Sequence, residues 1–292
     1  MLLCPDCFTQ FDEDSNHCLS CNWKKESING IPVYLSSADK SDHIFSDYLK
    51  NYHQISIDDL EHSIQNETYL NIQTEKFFSY VGNVEGLNVC ELGVGQGKLL
   101  KKLLEAKPKK LTGVDISVPY LELYKNQDNI SVIIANAENI PFKNEFDIII
   151  ASDILEHVLN VGDFLLSANR ALKQGGKFVI KTPNNEDLTM YSRLAGCKYK
   201  FVHLRNFNKY SLSKLMVNSG FKIEKIYFDG FYPSRKRSYI VNNKFLNQRF
   251  DNFCKRYTDV HEISGLNNML GCILMEPLEM TVICVKKTDI LD

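Results

Sequence analysis

From about residue 86 the chain alternates short, nearly continuous apolar runs with stretches in which apolar residues recur three or four positions apart. Leu87–Leu92, Lys110–Ile116, Ser131–Ala135, Glu145–Ala151, Lys177–Lys181, Phe221–Phe228 and Met280–Lys286 are runs of the first kind and read as strands. Between them, Lys98–Ala106 sets Leu99, Leu100, Leu103 and Leu104 on one side of a helix. Pro119–Lys125, residues 161–173 and Ser211–Ser219 read as further helices, the last two stopped by Gly175-Gly176 and by Gly220. Apolar strands separated by helices need cover on both faces. The pattern predicts an α/β, Rossmann-like fold with a seven-stranded parallel sheet over residues 83–292. Residues 43–82 carry Tyr48, Leu49, Tyr52 and Ile55 at helical spacing, and Tyr69, Ile72, Phe77 and Tyr80 in looser form. They read as core-facing helices or as an aromatic lid or linker beside a pocket.

The turn after the first strand of this core is Glu91-Leu92-Gly93-Val94-Gly95-Gln96-Gly97, and Asp115 closes the second strand. Ligands of such sheets bind at the carboxyl ends of the strands. Glycine there permits a tight bend and lets a ligand approach the backbone. A carboxylate at position 115 can accept hydrogen bonds from both ribose hydroxyls. A dinucleotide pyrophosphate takes GxGxxG, whereas this spacing is GxGxG with Lys98 where the last glycine would stand. Glu91 suits an ammonium group and repels a pyrophosphate. The cofactor expected is therefore S-adenosylmethionine (SAM).

Together with Gly113-Val114-Asp115-Ile116-Ser117, Asn136 through Phe142, and Phe146-Asp147 through Leu155-Glu156-His157-Val158, this turn resembles class I SAM-dependent methyltransferases. The similarity is greatest to the branch with ubiquinone-biosynthesis-like motifs and covers about residues 80–292. It implies that Glu91, Gly93 and Gly95 line the methionine end of SAM, that Gly97 belongs to the same cofactor-binding turn, that Asp115 holds the ribose, and that Ile116 packs on the adenine. It further implies a backbone N–H from Ala137 and places Ser152 and Asp153 beside the methyl donor. The family usually has Asp at the head of the third-strand motif. Here Asn136 stands, whose carbonyl oxygen can still accept the adenine amino hydrogen bond. Asp153 has a second reading, as N-cap of the segment that follows it.

Methyl transfer needs alignment of donor and acceptor, and a hydroxyl acceptor also needs a base. His157, just past the fourth strand, is the first candidate and His203 the second. Around His203, Tyr191, Tyr199, Phe201, Phe207 and Tyr210 interleave with Arg193, Lys198, Lys200, Arg205 and Lys209. Such interleaving suits a nucleotide sugar, a pyrophosphate-linked glycan or RNA, or else makes core contacts. Between Arg193 and Arg256, 15 Lys/Arg stand against three acids, a net of +12 within a chain of net −2. A field of that sign favours an anionic partner. Three functions stay open: O-methylation of a small or glycan-like anionic acceptor, methylation of RNA, and a non-catalytic SAM-binding protein. Base methylation has no Asn-Pro-Pro-Tyr-like motif here, and Cys197 and Cys254 lack supporting context.

The N-terminus holds a separate signal. Cys4-Pro5-Asp6-Cys7 and Cys18-Leu19-Ser20-Cys21 form two CxxC knuckles ten residues apart. Two such turns can aim four thiolates at one tetrahedral zinc ion, a closed site with a structural or partner-binding role. Asn29–Leu35 follows as a turn and short strand, so residues 1–36 resemble the zinc-ribbon modules ahead of some methyltransferases. Ser36–Asp42 reads as a polar linker. At 292 residues the chain has room for one α/β domain plus this module. No apolar run approaches the roughly 20 residues of a membrane span. Met1–Pro5 lacks a basic start and apolar core, so a cytoplasmic protein with reduced thiols is expected.

Overall fold

The computed structural model describes residues 1–62, 67–233 and 275–287. Its strands are β1 (Glu26–Ile28), β2 (Ile31–Val33), β3 (Asn88–Leu92), β4 (Lys110–Asp115), β5 (Ile130–Ile134), β6 (Phe146–Ser152), β7 (Leu172–Pro183), β8 (Phe221–Pro233) and β9 (Met275–Lys286). The helices are α1 (Ser37–Ser41), α2 (His43–Glu61), α3 (Glu67–Val81), α4 (Lys98–Glu105), α5 (Val118–Glu122), α6 (Val161–Ala171) and α7 (Lys209–Asn218). The strands form one sheet in the order β1-β2-β5-β4-β3-β6-β7-β9-β8. Neighbours from β2 to β7 run parallel, and β9 runs antiparallel between β7 and β8.

All seven expected strands are present, as β3 to β9. The sheet departs from the expected parallel one at β9, which is antiparallel to both its neighbours, and it is wider than expected because β1 and β2 continue it past β5. Val33 pairs with Ile134, and the Tyr34 N–H donates to the Ile134 carbonyl at 2.8 Å. This covers the carboxyl end of the β5 edge, where unpaired backbone groups would otherwise face solvent.

Alternation along each central strand feeds two apolar layers. Cys90, Leu92, Ile149 and Phe178 pack on one side with Phe164 and Leu165 of α6 and with Phe11, Trp23 and Tyr34 of the N-terminal module. Val89, Ile148, Ile150 and Val179 pack on the other with Leu99, Leu100 and Leu103 of α4 and with Phe45 and Phe77 of α2 and α3. Leu103 is fully buried. Leu103→Ala should cost about 2–5 kcal/mol of stability in a denaturant titration, because it leaves a cavity between α4 and the sheet.

Three local expectations need correction. The polar stretch after Ser36 is not a linker but helix α1, closed by a capping box in which Ser36 and Asp39 bond reciprocally. Helix α6 ends at Ala171 rather than at the glycine pair, because buried Leu172 already pairs with Phe146 of β6. Gly175-Gly176 thus lies inside β7, where the register with β6 shifts. Asp153 caps no helix: no α-helix begins between it and Val161, and its carboxylate turns to Ser152 and Lys181.

The basic run is also tied down in part. Lys198 and the Tyr199 hydroxyl reach Asp58 of α2 at 2.7 and 2.6 Å, and Lys200 reaches Asp47 at 3.2 Å. Arg205 donates to the carbonyls of Val158 and Leu159. Phe201 and Phe207 are buried core residues, whereas Tyr210 is exposed. Arg235, Lys236, Arg237, Lys244, Arg249, Cys254, Lys255 and Arg256 lie outside the described residues.

Candidate active site

A cavity of about 1600 Å³ opens at the carboxyl ends of β3, β4, β6 and β7, with Tyr48, Tyr52 and Phe77 of α2 and α3 in its wall. Sites for single ligands commonly enclose roughly 300–1,000 Å³, so there is room for a cofactor and a second molecule. All of Glu91, Gly93, Gly95, Gly97, Asp115, Ile116, Asn136, Ala137, Ser152, Asp153, His157 and His203 line it.

One end is built by the glycine turn. Gly95 has φ +51°, and a Cβ there would meet no atom within 4 Å, so the backbone faces open space. At Gly97, φ +71°, a Cβ would lie 2.2 Å from the Tyr124 ring. Asp115 Oδ2 accepts from the Gly95 N–H at 3.2 Å and Oδ1 from the Ser117 N–H at 2.8 Å. Each oxygen keeps a further lone pair for a ligand hydroxyl. Burial raises the Asp115 carboxyl, and these N–H donors offset part of the rise.

Glu91 is 2 % exposed, and its Oε2 has no hydrogen-bond partner. Burial, with Asp115 nearby, pushes its carboxyl well above the usual range. A buried acceptor without a donor is costly, and a ligand ammonium would satisfy it. The residues present therefore fit SAM: Glu91 for the amino group, Gly95 for backbone approach and Asp115 for the ribose. Asn136 is more occupied than the sequence suggested. Its oxygen accepts from the Glu138 N–H at 3.0 Å and its amide donates to Asp39 at 2.8 Å.

The other end is richer in titratable groups. His203 Nδ1 bonds to Glu186, whose other oxygen accepts from the Tyr191 hydroxyl at 2.6 Å. Burial raises the Glu186 carboxyl, but these two hydrogen bonds, together with the neighbouring histidines, leave it lowered. Such a bond fixes the tautomer with Nδ1–H and leaves Nε2 to take a proton. The His157 ring stands edge-on to that of His203, with centroids 4.6 Å apart. Its Nδ1 lies 2.9 Å from the Val202 carbonyl and 2.8 Å from the Tyr52 hydroxyl. Burial, aided by His203, pushes His157 down to about 4, so its ring stays neutral at neutral pH. Lys181 pairs with Asp153 at 2.7 Å and with Glu279 at 3.7 Å. Buried Glu156 accepts from the Thr182 hydroxyl at 3.0 Å. Glu156, His157 and His203 bring ligand atoms within 4.8 Å of one another, an arrangement that could also hold a divalent ion.

Glu156, Lys181 and Glu186 do not stand out from the sequence as site residues. The usable signal for Glu186 is its place in the polar run Asn184–Asp187 just past a strand's carboxyl end. The four N-terminal thiols also converge, within 4.8 Å of one another, with Cys4–Cys21 at 3.5 Å and Cys7–Cys18 at 3.6 Å. A tetrahedral Zn–S bond of about 2.3 Å implies sulfur separations of about 3.8 Å, so the donor set fits zinc. No helix among the described residues is long and apolar enough to cross a membrane.

Comparison with known proteins bears on this geometry. Residues 62–226 match the family model for a methyltransferase domain. An uncharacterized protein of Methanocaldococcus jannaschii is 30% identical over 148 residues, covering 50% of this chain and 57% of that protein. The mitochondrial ubiquinone biosynthesis O-methyltransferase of Dictyostelium discoideum is 29% identical over 134 residues, covering 40% of this chain and 42% of the relative. The chain thus spans about half the length of the curated relatives it matches. The SAM-dependent methyltransferase of Mesorhizobium loti has a similar fold, with TM-score 0.50 at 16% identity over 72% of this chain and 96% of that one. A parallel sheet ending in an antiparallel strand pair, a glycine turn facing an acid, and a family match over more than half its length make this chain a member of the methyltransferase domain family, with the class I SAM-dependent fold.

Proposed function

We propose that the chain transfers the methyl group of SAM to an oxygen of a small or glycan-like acceptor. The observation that carries the cofactor reading is Glu91, a buried carboxylate oxygen without a donor in the same cavity as Asp115. The observation that carries the acceptor chemistry is the His203–Glu186 pair at the other end of that cavity. His203 takes the acceptor's proton at Nε2, and Glu186 stabilises the imidazolium that forms. His157, held neutral and bonded at Nδ1, shapes the wall beside it. The O-methyltransferase names of several relatives support this choice of atom. Asp153, Glu156, Glu186 and Glu279 line this end, with Lys181 paired among them. The reacting hydroxyl belongs here, and any negative charge on the acceptor belongs outside this wall.

The test is calorimetry with SAM, followed by mass spectrometry of hydroxyl acceptors (catechols, sugars, nucleotide sugars) for the gain of a methyl group. Saturable binding and a methylated hydroxyl support the reading, and failure to bind SAM sinks it. His203→Ala should lower kcat by about 10²–10⁴-fold with SAM affinity unchanged. Glu186→Gln should fall between that variant and the wild type.

A further inference from the structure

The N-terminal module reaches the cavity through a chain of hydrogen bonds. Asp6 sits inside the Cys4–Cys7 knuckle. Its carboxylate accepts from the Ser37 N–H at 2.7 Å and the Ser37 hydroxyl at 2.6 Å, at the start of α1. Next to it, Ser36 donates its N–H and hydroxyl to Asp39 Oδ2 at 3.0 and 2.7 Å. The other oxygen of Asp39 accepts from Asn136 Nδ2 at 2.8 Å. Asn136 in turn caps the 3-10 turn Ala137–Asn139 through the Glu138 N–H. The far end of that turn is held by the same knuckle, because Asn139 Nδ2 donates to the Pro5 carbonyl at 3.0 Å. Asn136 is 8 % exposed and lines the cavity beside Asp115, Ile116 and Ala137.

We propose that Asp39 is a positioning residue for the cofactor, and that the cysteine module acts through it as a built-in brace on the adenosine end of the pocket. The inference rests on the SAM reading given above. It accounts for the amide at position 136. An aspartate there would face the Asp39 carboxylate with no proton between them. Asparagine donates to Asp39 with its nitrogen and caps the turn with its oxygen. The pair is also reversible. In an Asp39→Asn, Asn136→Asp double variant, the new amide at position 39 can turn its oxygen to Ser36 and its nitrogen to position 136. The new carboxylate at position 136 keeps one oxygen for the Glu138 N–H. Every hydrogen bond is remade, with donor and acceptor exchanged between positions 39 and 136.

The experiment is SAM calorimetry on the full chain, with circular dichroism to confirm folding. Asn136→Asp should weaken binding by about tenfold or more, and Asp39→Asn by at least several-fold. The double variant should return to within about threefold of wild type. Asp6→Ala, outside the cavity wall, should weaken SAM binding several-fold. Losses that add in the double variant, single variants that bind normally, or a silent Asp6→Ala each overturn the brace while leaving the SAM reading intact. A wild-type chain that does not bind SAM overturns both.

Discussion

Asp115→Ala is expected to abolish measurable SAM binding. The carboxylate does two jobs that alanine cannot. It offers one remaining lone-pair direction on each oxygen to the ribose hydroxyls, and it holds the Gly95 and Ser117 N–H groups in place. Hydrogen bonds to a charged group contribute about 1.5–3 kcal/mol each, so losing two costs about 3–6 kcal/mol. That corresponds to roughly two to four orders of magnitude in Kd. Asp115→Asn should fall between the two, since its amide nitrogen cannot accept from the N–H it faces. Calorimetry on both variants, with thermal midpoints measured alongside, separates lost binding from lost folding. An alanine variant that binds within about threefold of wild type would remove the ribose assignment.

The second large effect is expected at the cysteines. The module buries little core of its own: Phe11 meets Trp23 edge-on at 5.4 Å, and Trp23 stacks on Tyr34 at 5.8 Å. Its strand β2 borrows stability from β5. Structural zinc supplies about 10–16 kcal/mol to isolated finger peptides, and packing on the sheet makes the loss smaller here. Trp23 is the chain's single tryptophan, is 4 % exposed and donates to the Leu35 carbonyl at 3.0 Å. Its emission therefore reports on the module directly. One zinc per chain should be released by a thiol-reactive reagent, with a red shift of that emission and proteolytic cleavage within residues 1–35. Cys4→Ser with Cys18→Ser should bind no zinc and show the same shift from the start. A metal-free preparation with Trp23 still buried would end the zinc assignment.

Much of the site is readable in the sequence because its parts are local. The glycine spacing, the acid before it and the acid closing the next strand are each set by a strand–turn–helix unit. All of the cofactor residues named from sequence line one cavity. The histidines stand out as residue types, but their surroundings cannot be read from the chain. His157 is pushed down by burial, while His203 gains a carboxylate partner 17 residues away. The basic run is only partly readable from sequence for a similar reason. Counting charges cannot show that Lys198 and Lys200 meet Asp58 and Asp47 of α2.

Periodicity of apolar residues determined the seven strands of the core and most of its helices, because which face a side chain takes follows from its neighbours in sequence. The cysteine spacing likewise marks a candidate N-terminal metal module, because each CxxC knuckle is a local turn. Only the tertiary structure decided that this module widens the sheet and is linked through α1 to Asn136 in the cavity wall. The Asp39–Asn136 bond joins residues 97 apart. Whether such residues meet depends on how whole elements pack, which no local pattern encodes.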